Sequence, residues 1–404
     1  MLITNCQITL TQMPSSDYPN RNTVTILDFV TDVEFNSTWQ NLSDTGKLTM
    51  PKKIYFKDQY GNTITWEGKN IISSINGTSP MILRGDKISI DLGYDYYTIK
   101  NGKEKPNSEI NNVFNGYVSN VDNKLPIEIQ FEDNMWLLKQ VQAENKTFKN
   151  DLYSVETMLK EMLVGTPFTV KQYIGGSLLK TNIGDFTTKN ETIAQVLDRL
   201  QKDFRMESYF IDNVLYCGPI VYYPENMKEV VFKFQYNIIE DELLYKRKDD
   251  VRIGVAAHAY TPQKIGTNKD GTHKYRTDRV EYFGYFEKGE LIVVPVEKKP
   301  KAFDGEIRTI NMLRMPESQI KEFITKELNR ITYDGWRGKF TTFGLPLVKH
   351  GYIVHLIDEV IPERTGKYMV KGVRTTFGMD GFRQEVTLDL RIDNVSQDKI
   401  NSGL

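Results

Sequence analysis

Four histidines, His258, His273, His350 and His355, are the first residues to weigh for acid–base or metal chemistry. His350 and His355 lie in or beside residues 352–357, which read as a strand. Five positions apart on a regular strand, they face opposite sides and could not share one metal ion. The two cysteines, Cys6 and Cys217, are too few for a disulfide framework or, alone, for a thiolate zinc site. Carboxylates neighbour each other at Asp249-Asp250 and Asp358-Glu359. A glycosidase needs two carboxylates about 5–10 Å apart across a cleft. Neighbours in sequence diverge, so both pairs read as solvated turn residues. Gly-rich phosphate loops, His-Glu-x-x-His and Gly-x-Ser-x-Gly are absent. No residue is therefore assigned to catalysis, to a cofactor or to a metal; no cofactor is expected, and the chain reads as a non-enzyme.

Two features could bind rather than react. Residues 263–279 are polar and locally basic, with Lys264, Lys269, Lys274, Arg276 and Arg279 against Asp270 and Asp278. They could touch phosphate, but a solvated hairpin tip explains them as well. Four tryptophans, Trp39, Trp66, Trp136 and Trp336, could stack on sugars. Trp66 sits in an alternating strand and Trp136 in Met-Trp-Leu-Leu, so core packing accounts for both. Asn-x-Ser/Thr sequons such as Asn36 and Asn145 read as chance in an Asn- and Thr-rich chain.

The elements that must position these residues are mainly strands. The chain has 404 residues, enough for about two to four domains. Its net charge of −1 excludes a global basic field for coating nucleic acid. With 39% hydrophobic and 26% charged residues it suits a folded chain, and its 22 Tyr and 20 Phe lean toward β-structure. No apolar run approaches the roughly 18 residues of a membrane span, and the N-terminus lacks the pattern of a secretory signal. A soluble protein made in a cytoplasm is expected. Strands are expected at 23–29, 53–56 and 62–66, then at 87–92, 113–121 and 127–131, with an exposed polar loop over 100–112. The period then changes. Residues 151–164 and 192–204 carry helical stripes, and 209–211 with 214–217 read as a hairpin. Strands resume at 230–236, 251–260 and 291–296, a helix at 316–333, and strands at 352–357, 368–376 and 383–392. Strand, loop, long strand, turn and alternating strand occur at 87–131 and again at 352–390, which suggests two related β-modules. The division expected is a first β-domain at 1–134, a small α/β insert at 135–220, a second β-domain at 221–392 and a tail at 393–404.

This order of elements resembles the baseplate hub family of contractile phage tails, which includes late control D proteins and the N-terminal part of type VI secretion spikes. The resembling segments begin with Gly85-Asp86-Lys87-Ile88-Ser89-Ile90-Asp91-Leu92-Gly93, Phe114-Asn115-Gly116-Tyr117-Val118 and Ile127-Glu128-Ile129-Gln130-Phe131-Glu132-Asp133. The helix over 192–204 leads into Tyr209-Phe210-Ile211-Asp212-Asn213-Val214-Leu215-Tyr216-Cys217-Gly218. Phe343-Gly344-Leu345-Pro346 precedes His350-Gly351-Tyr352-Ile353-Val354, and Gly366-Lys367-Tyr368-Met369-Val370 leads to Thr376-Phe377-Gly378-Met379-Asp380-Gly381-Phe382-Arg383-Gln384-Glu385-Val386-Thr387-Leu388. The resemblance spans roughly residues 20–392, as pattern rather than identity.

What the resemblance implies is a mainly β chain with an α/β insert: two tail-tube-like antiparallel β-barrel domains plus smaller α/β parts. Three chains would form a ring of six similar barrels, a homotrimer joining a six-fold tail tube to a three-fold spike in the virion baseplate. Partners would be the tail tube protein, a separate spike protein (the chain stops soon after its last strand) and other baseplate proteins. DNA would pass through the central channel without specific binding. Two other readings compete: a tail module that binds host-surface glycan, and a cell-wall hydrolase of the tail.

Overall fold

The computed structural model describes residues 2–51, 53–57, 63–67, 80–100, 103–122, 126–149, 154–171, 185–218, 227–267, 273–312, 317–362 and 365–392. The chain begins with β1 (Leu2–Thr11), β2 (Val24–Leu27), β3 (Asp32–Thr38), β4 (Thr45–Met50), β5 (Lys53–Lys57), β6 (Thr63–Glu67), β7 (Lys87–Lys100), β8 (Lys103–Asp122) and β9 (Ile127–Glu132). Then come α1 (Met135–Leu138), β10 (Lys146–Phe148), α2 (Val155–Met162), β11 (Thr169–Lys171), β12 (Phe186–Thr188), α3 (Ile193–Phe204), β13 (Glu207–Ile211) and β14 (Val214–Gly218). The last part holds β15 (Glu229–Lys233), β16 (Ile238–Lys246), β17 (Ile253–Thr267), β18 (His273–Glu287), β19 (Glu290–Pro295), β20 (Glu306–Met312), α4 (Glu317–Ile331), β21 (Gly335–Phe343), β22 (Ile353–Ile357), β23 (Gly366–Gly378) and β24 (Gly381–Arg391). The fold is mainly β, as expected.

One large sheet runs β16-β21-β24-β23-β3-β4-β9-β8-β7-β1-β2, with β22 also on β23 and β15 on β22. Its pairings are antiparallel except β15 with β22. Alternation drives the strands: β24 alternates half-buried and buried residues along its whole length, with Phe382, Val386, Leu388 and Leu390 inward. The two meanders expected from the sequence, β7-β8-β9 and β22-β23-β24, both form. They extend to the same strand order, β3-β4-β9-β8-β7-β1 and β16-β21-β24-β23-β22-β15. The two runs join where β3 adds antiparallel to the C-terminal half of β23. Among the described residues the ladder stays open, ending at β16 and β2, and its branch through β22 ends at β15.

Most of the stretch read as a polar loop, 100–112, instead belongs to long hairpin arms: β7 and β8 stay paired from Lys87–Tyr117 out to Lys100–Lys103, and residues 101–102 lie outside the described ones. The ladder hydrogen bonds hold such arms together without an apolar face, so periodicity does not reveal them. The basic segment behaves likewise. Its flanks belong to β17 and β18, and residues 268–272 lie outside the described ones.

Helices form where a stripe coincides with a cap. Ser154 caps α2 through a box with Thr157, and Thr192 caps α3 through a box with Gln195. Their buried faces, Val155, Met158 and Leu159 with Val196, Leu197 and Leu200, meet Phe210 and Leu215 in one core. The α4 face, Ile320, Phe323, Ile324 and Leu328, packs on β17 and β18. Gly284 makes this approach possible, because a Cβ there would lie 2.2 Å from Ile324. Phe377 and Phe382, from the second meander, pack into the core of the first.

Candidate functional site

The residues most able to do chemistry meet where three parts of the chain touch. Ser37 is the last residue but one of β3, opposite Val373 of β23. Asp44 stands just before β4, Asp133 and Asn134 link β9 to α1, and His350 precedes β22. These groups, with Phe210 and Lys349, line a cavity of about 50 Å³. Ser37 Oγ donates to Asp44 Oδ2 at 2.5 Å and lies 2.6 Å from His350 Nδ1. Thr38 N–H donates to Asp44 Oδ1 at 2.9 Å. Ser43 Oγ donates to Asp133 Oδ1 at 3.0 Å, and Met135 N–H to the same oxygen at 3.1 Å. Tyr209 stands edge-on to the His350 ring, centroids 4.9 Å apart.

Burial sets the charges. It pushes Asp44 up to about 7 against the hydrogen bonds from Ser37 and Thr38. Burial, then the neighbouring Asp44, holds Asp133 well above the usual carboxylate range. Burial, with Lys349 beside it, lowers His350 to about 4. Serine, histidine and aspartate together invite comparison with a hydrolytic triad. In a triad the histidine stands between the other two and its far nitrogen takes the serine proton. Here the serine stands between, its hydroxyl engaged by both partners, and Asp44 and His350 are buried. The arrangement ties β3 to the segment before β22, and its order is not that of a hydrolytic triad.

A wider cleft of about 410 Å³ lies nearby, lined by Trp39, Arg205, Glu207, Arg308, Glu327 and Arg330. Its most buried cation is paired: Arg330 Nη2 is 2.7 Å from Glu327 and its Nη1 is 3.2 Å from Asp389. Burial raises Glu207 to about 7, and Gln201 donates to it.

The residues weighed in the sequence are dispersed. His258 lies 3.3 Å from Glu281 and His355 lies 3.5 Å from Glu229, while His273 opens β18. Among the described residues no three His, Cys, Asp or Glu side chains are grouped to hold a metal ion. Cys6 and Cys217 are buried in separate cores, which pushes their thiols up to about 11 and about 12. Asp249 and Asp250 are exposed, as expected. Asp358 is not: it is buried and accepts from the N–H groups of Val360 and Ile361, because it closes its own turn. Trp39 and Trp336 are core residues, and Trp136 stacks on Tyr117 at 5.1 Å. The side chain of Trp66 lies outside the described residues. In the basic segment Arg276 is held by Asp278 and Arg279 by Glu281. The described residues contain no helix long and apolar enough to cross a membrane. Sequence reasoning did not find Ser37, Asp44 and Asp133, since nothing local marks three residues that converge only through long-range pairing.

No protein-family model matches this sequence, and no curated protein does. Solved structures do match. The 43 kDa tail protein of prophage MuSo2 from Shewanella oneidensis aligns with TM-score 0.53 and 11% identity over 98% of both chains. The tail protein from Neisseria meningitidis MC58 aligns with TM-score 0.51 and 12% identity over 98% of this chain and 99% of its own. This chain has the fold of phage tail proteins.

Proposed function

We propose that the chain is a structural protein of a phage tail or related injection system, and specifically the baseplate hub. The observation that carries the reading is the end-to-end fold likeness to two tail proteins. A second fact favours the ring: one strand order occurs twice in the chain, so three copies would present six similar units. The hub would join a six-fold tube protein to a separate three-fold spike beside other baseplate proteins, with DNA passing through the channel unread. Its two barrel-like domains are assigned to 1–134 and 221–392, with the α/β insert at 135–220 between them. No cofactor enters this role and no reaction is assigned to it. It belongs in the virion tail.

Light scattering coupled to gel filtration tests the proposal. The expected species contains three copies of the 46.8 kDa chain, either alone or within a complex formed when tube and spike proteins are added. A chain that stays monomeric with both partners present overturns the hub.

A further inference from the structure

The two strand orders coincide in register from β3 through β7 and from β16 through β22; only the outermost strands differ, β1 lying antiparallel on β7 and β15 parallel on β22. Gly85 and Gly351 both have positive φ, +94° and +79°. Gly85 N–H donates to Val118 O, and Val118 N–H to Asp86 O. Gly351 N–H donates to Val370 O, and Val370 N–H to Tyr352 O. The register shifts immediately after Val118 and again immediately after Val370. Beyond the shift, Val121 faces Ile129, which faces Leu48, which faces Val33. Likewise Val373 faces Val386, which faces Phe340, which faces Asp241. Val121 therefore corresponds to Val373, and Val33 to Asp241. Counting along each strand, Asn120 matches Gly372, and Thr38 matches Lys246.

Within the chain, β3 occupies the edge of β23 with Gly372 opposite Thr38, Val373 opposite Ser37 and Arg374 opposite Asn36. The matching edge of β8, residues 119–122, has no strand on it among the described residues, because β7 stops pairing at Tyr117. The strand matching β3 is β16, which among the described residues pairs with β21 alone. It leaves nine residues of open edge with Leu244 58% exposed. An open edge of that length is a template for another strand. Leu243 and Tyr245, on its inner face, are only half-buried, whereas Phe35, the match of Leu243, is 3% exposed beneath the internal joint.

We propose that β16 of one copy adds antiparallel to residues 119–122 of β8 in a second copy, repeating between chains the joint made within one. The register follows: Asn120 opposite Lys246 of the next copy, Val121 opposite Tyr245, and Asp122 opposite Leu244. The contact joins unlike surfaces head to tail, so copies close into a ring or run on as a fibre. Only the number of copies rests on the hub reading. One difference tunes strength. Arg374 pairs with Glu34 at 2.7 Å in the internal joint, and the matching residues are Asp122 and Glu242, two carboxylates.

The test mixes full-length Asn120→Cys protein with tagged Lys246→Cys protein under mild oxidation. Opposed residues on paired strands lie about 4.5–5.5 Å apart between Cα atoms, within reach of a disulfide. Glu242→Cys, four residues along, is the out-of-register control. The native cysteines are buried and do not compete. A disulfide between Asn120→Cys and Lys246→Cys, and not with Glu242→Cys, is the expected result. Asp122→Arg, which restores the ion pair, should lower the concentration needed for association about fivefold. A trimer that forms without this cross-link overturns the register and leaves the hub standing. A cross-link found only in open fibres supports the pairing and overturns the closed ring. Asp122→Arg protein that associates less readily also counts against the register.

Discussion

Asp44→Asn isolates the electrostatics of the joint between β3 and the segment before β22. The substitution keeps the acceptor for Thr38 N–H, replaces the oxygen that accepts from Ser37 Oγ by an amide nitrogen at every pH, and removes the titration, so the pH dependence of the difference reports the titration alone. Asp44 binds its proton more tightly folded than unfolded, moving from 3.8 to about 7. Its contribution is therefore full below pH 3.8 and lost as pH rises through about 7. The displacement corresponds to a loss on the order of 4 kcal/mol, or about 1.4 kcal/mol per pH unit across that window. His350 has the opposite sign. Lowered from 6.5 to about 4, its stabilisation is complete above pH 6.5 and lost as pH falls through about 4. The two slopes oppose each other between about pH 4 and 6.5 in the native protein. Urea unfolding of both proteins at pH 4.5, 5.5, 6.5 and 7.5 reads the difference. Asp44→Asn stability should gain on the native protein with each step up in pH and be higher by several kcal/mol at pH 7.5. A difference between the two that is flat with pH refutes the assignment of a buried, proton-holding Asp44.

Leu388→Asp buries a charge at a site 6% exposed and should cost several kcal/mol, seen as loss of soluble, assembly-competent protein; normal folding would mean the inner face of β24 is misassigned. Changing Lys264, Lys269 and Lys274 together to Ser should shift the melting midpoint by very little, since the arms are held by ladder bonds, and unfolding of the triple variant would show the lysines to be structural. Tyr94→Phe removes a hydroxyl that donates to Phe382 O at 2.7 Å and accepts from Gly344 N–H at 3.2 Å across the two meanders. It should cost about 1–3 kcal/mol in denaturant titration, and no change would mean the link is not under load.

What the sequence made legible was local. The stripes at 151–164 and 192–204 gave α2 and α3 because Ser154 and Thr192 also supply capping boxes. Met379-Asp380-Gly381 gave the β23–β24 turn, where Gly381 takes φ +89° and Met379 is 97% exposed. Asp86, inside a segment that carried the family resemblance, turns out to hold Arg21 in a buried ion pair at 2.6 Å and to accept from Met13 and Leu83 N–H. Its chemistry depends on residues far from the motif and was not visible there. β16 was missed because Glu240-Asp241-Glu242 interrupts any alternation. The Ser37–Asp44–His350 group was missed because Ser37 and His350 are 313 positions apart and meet only once β3 has found β23.

That pairing also explains why one joint is closed and its counterpart open. β3 and β23 are tethered in one chain, so their edges meet at a high effective concentration and need little intrinsic affinity. The joint is then reinforced by the Arg374–Glu34 pair, the Tyr94 hydroxyl and the Ser37–Asp44–His350 bonds. The matching joint proposed between copies has no such tether, and β16 carries an acidic run instead. Two β16 edges brought together about Asp241 would face Glu240, Asp241 and Glu242 against themselves, which disfavours a symmetric dimer. Charge thus closes the wrong pairing while the residues beyond the acids, Leu244 to Lys246, stay available to a different edge. An assembly built on such a joint would form most readily where other partners raise the local concentration of copies.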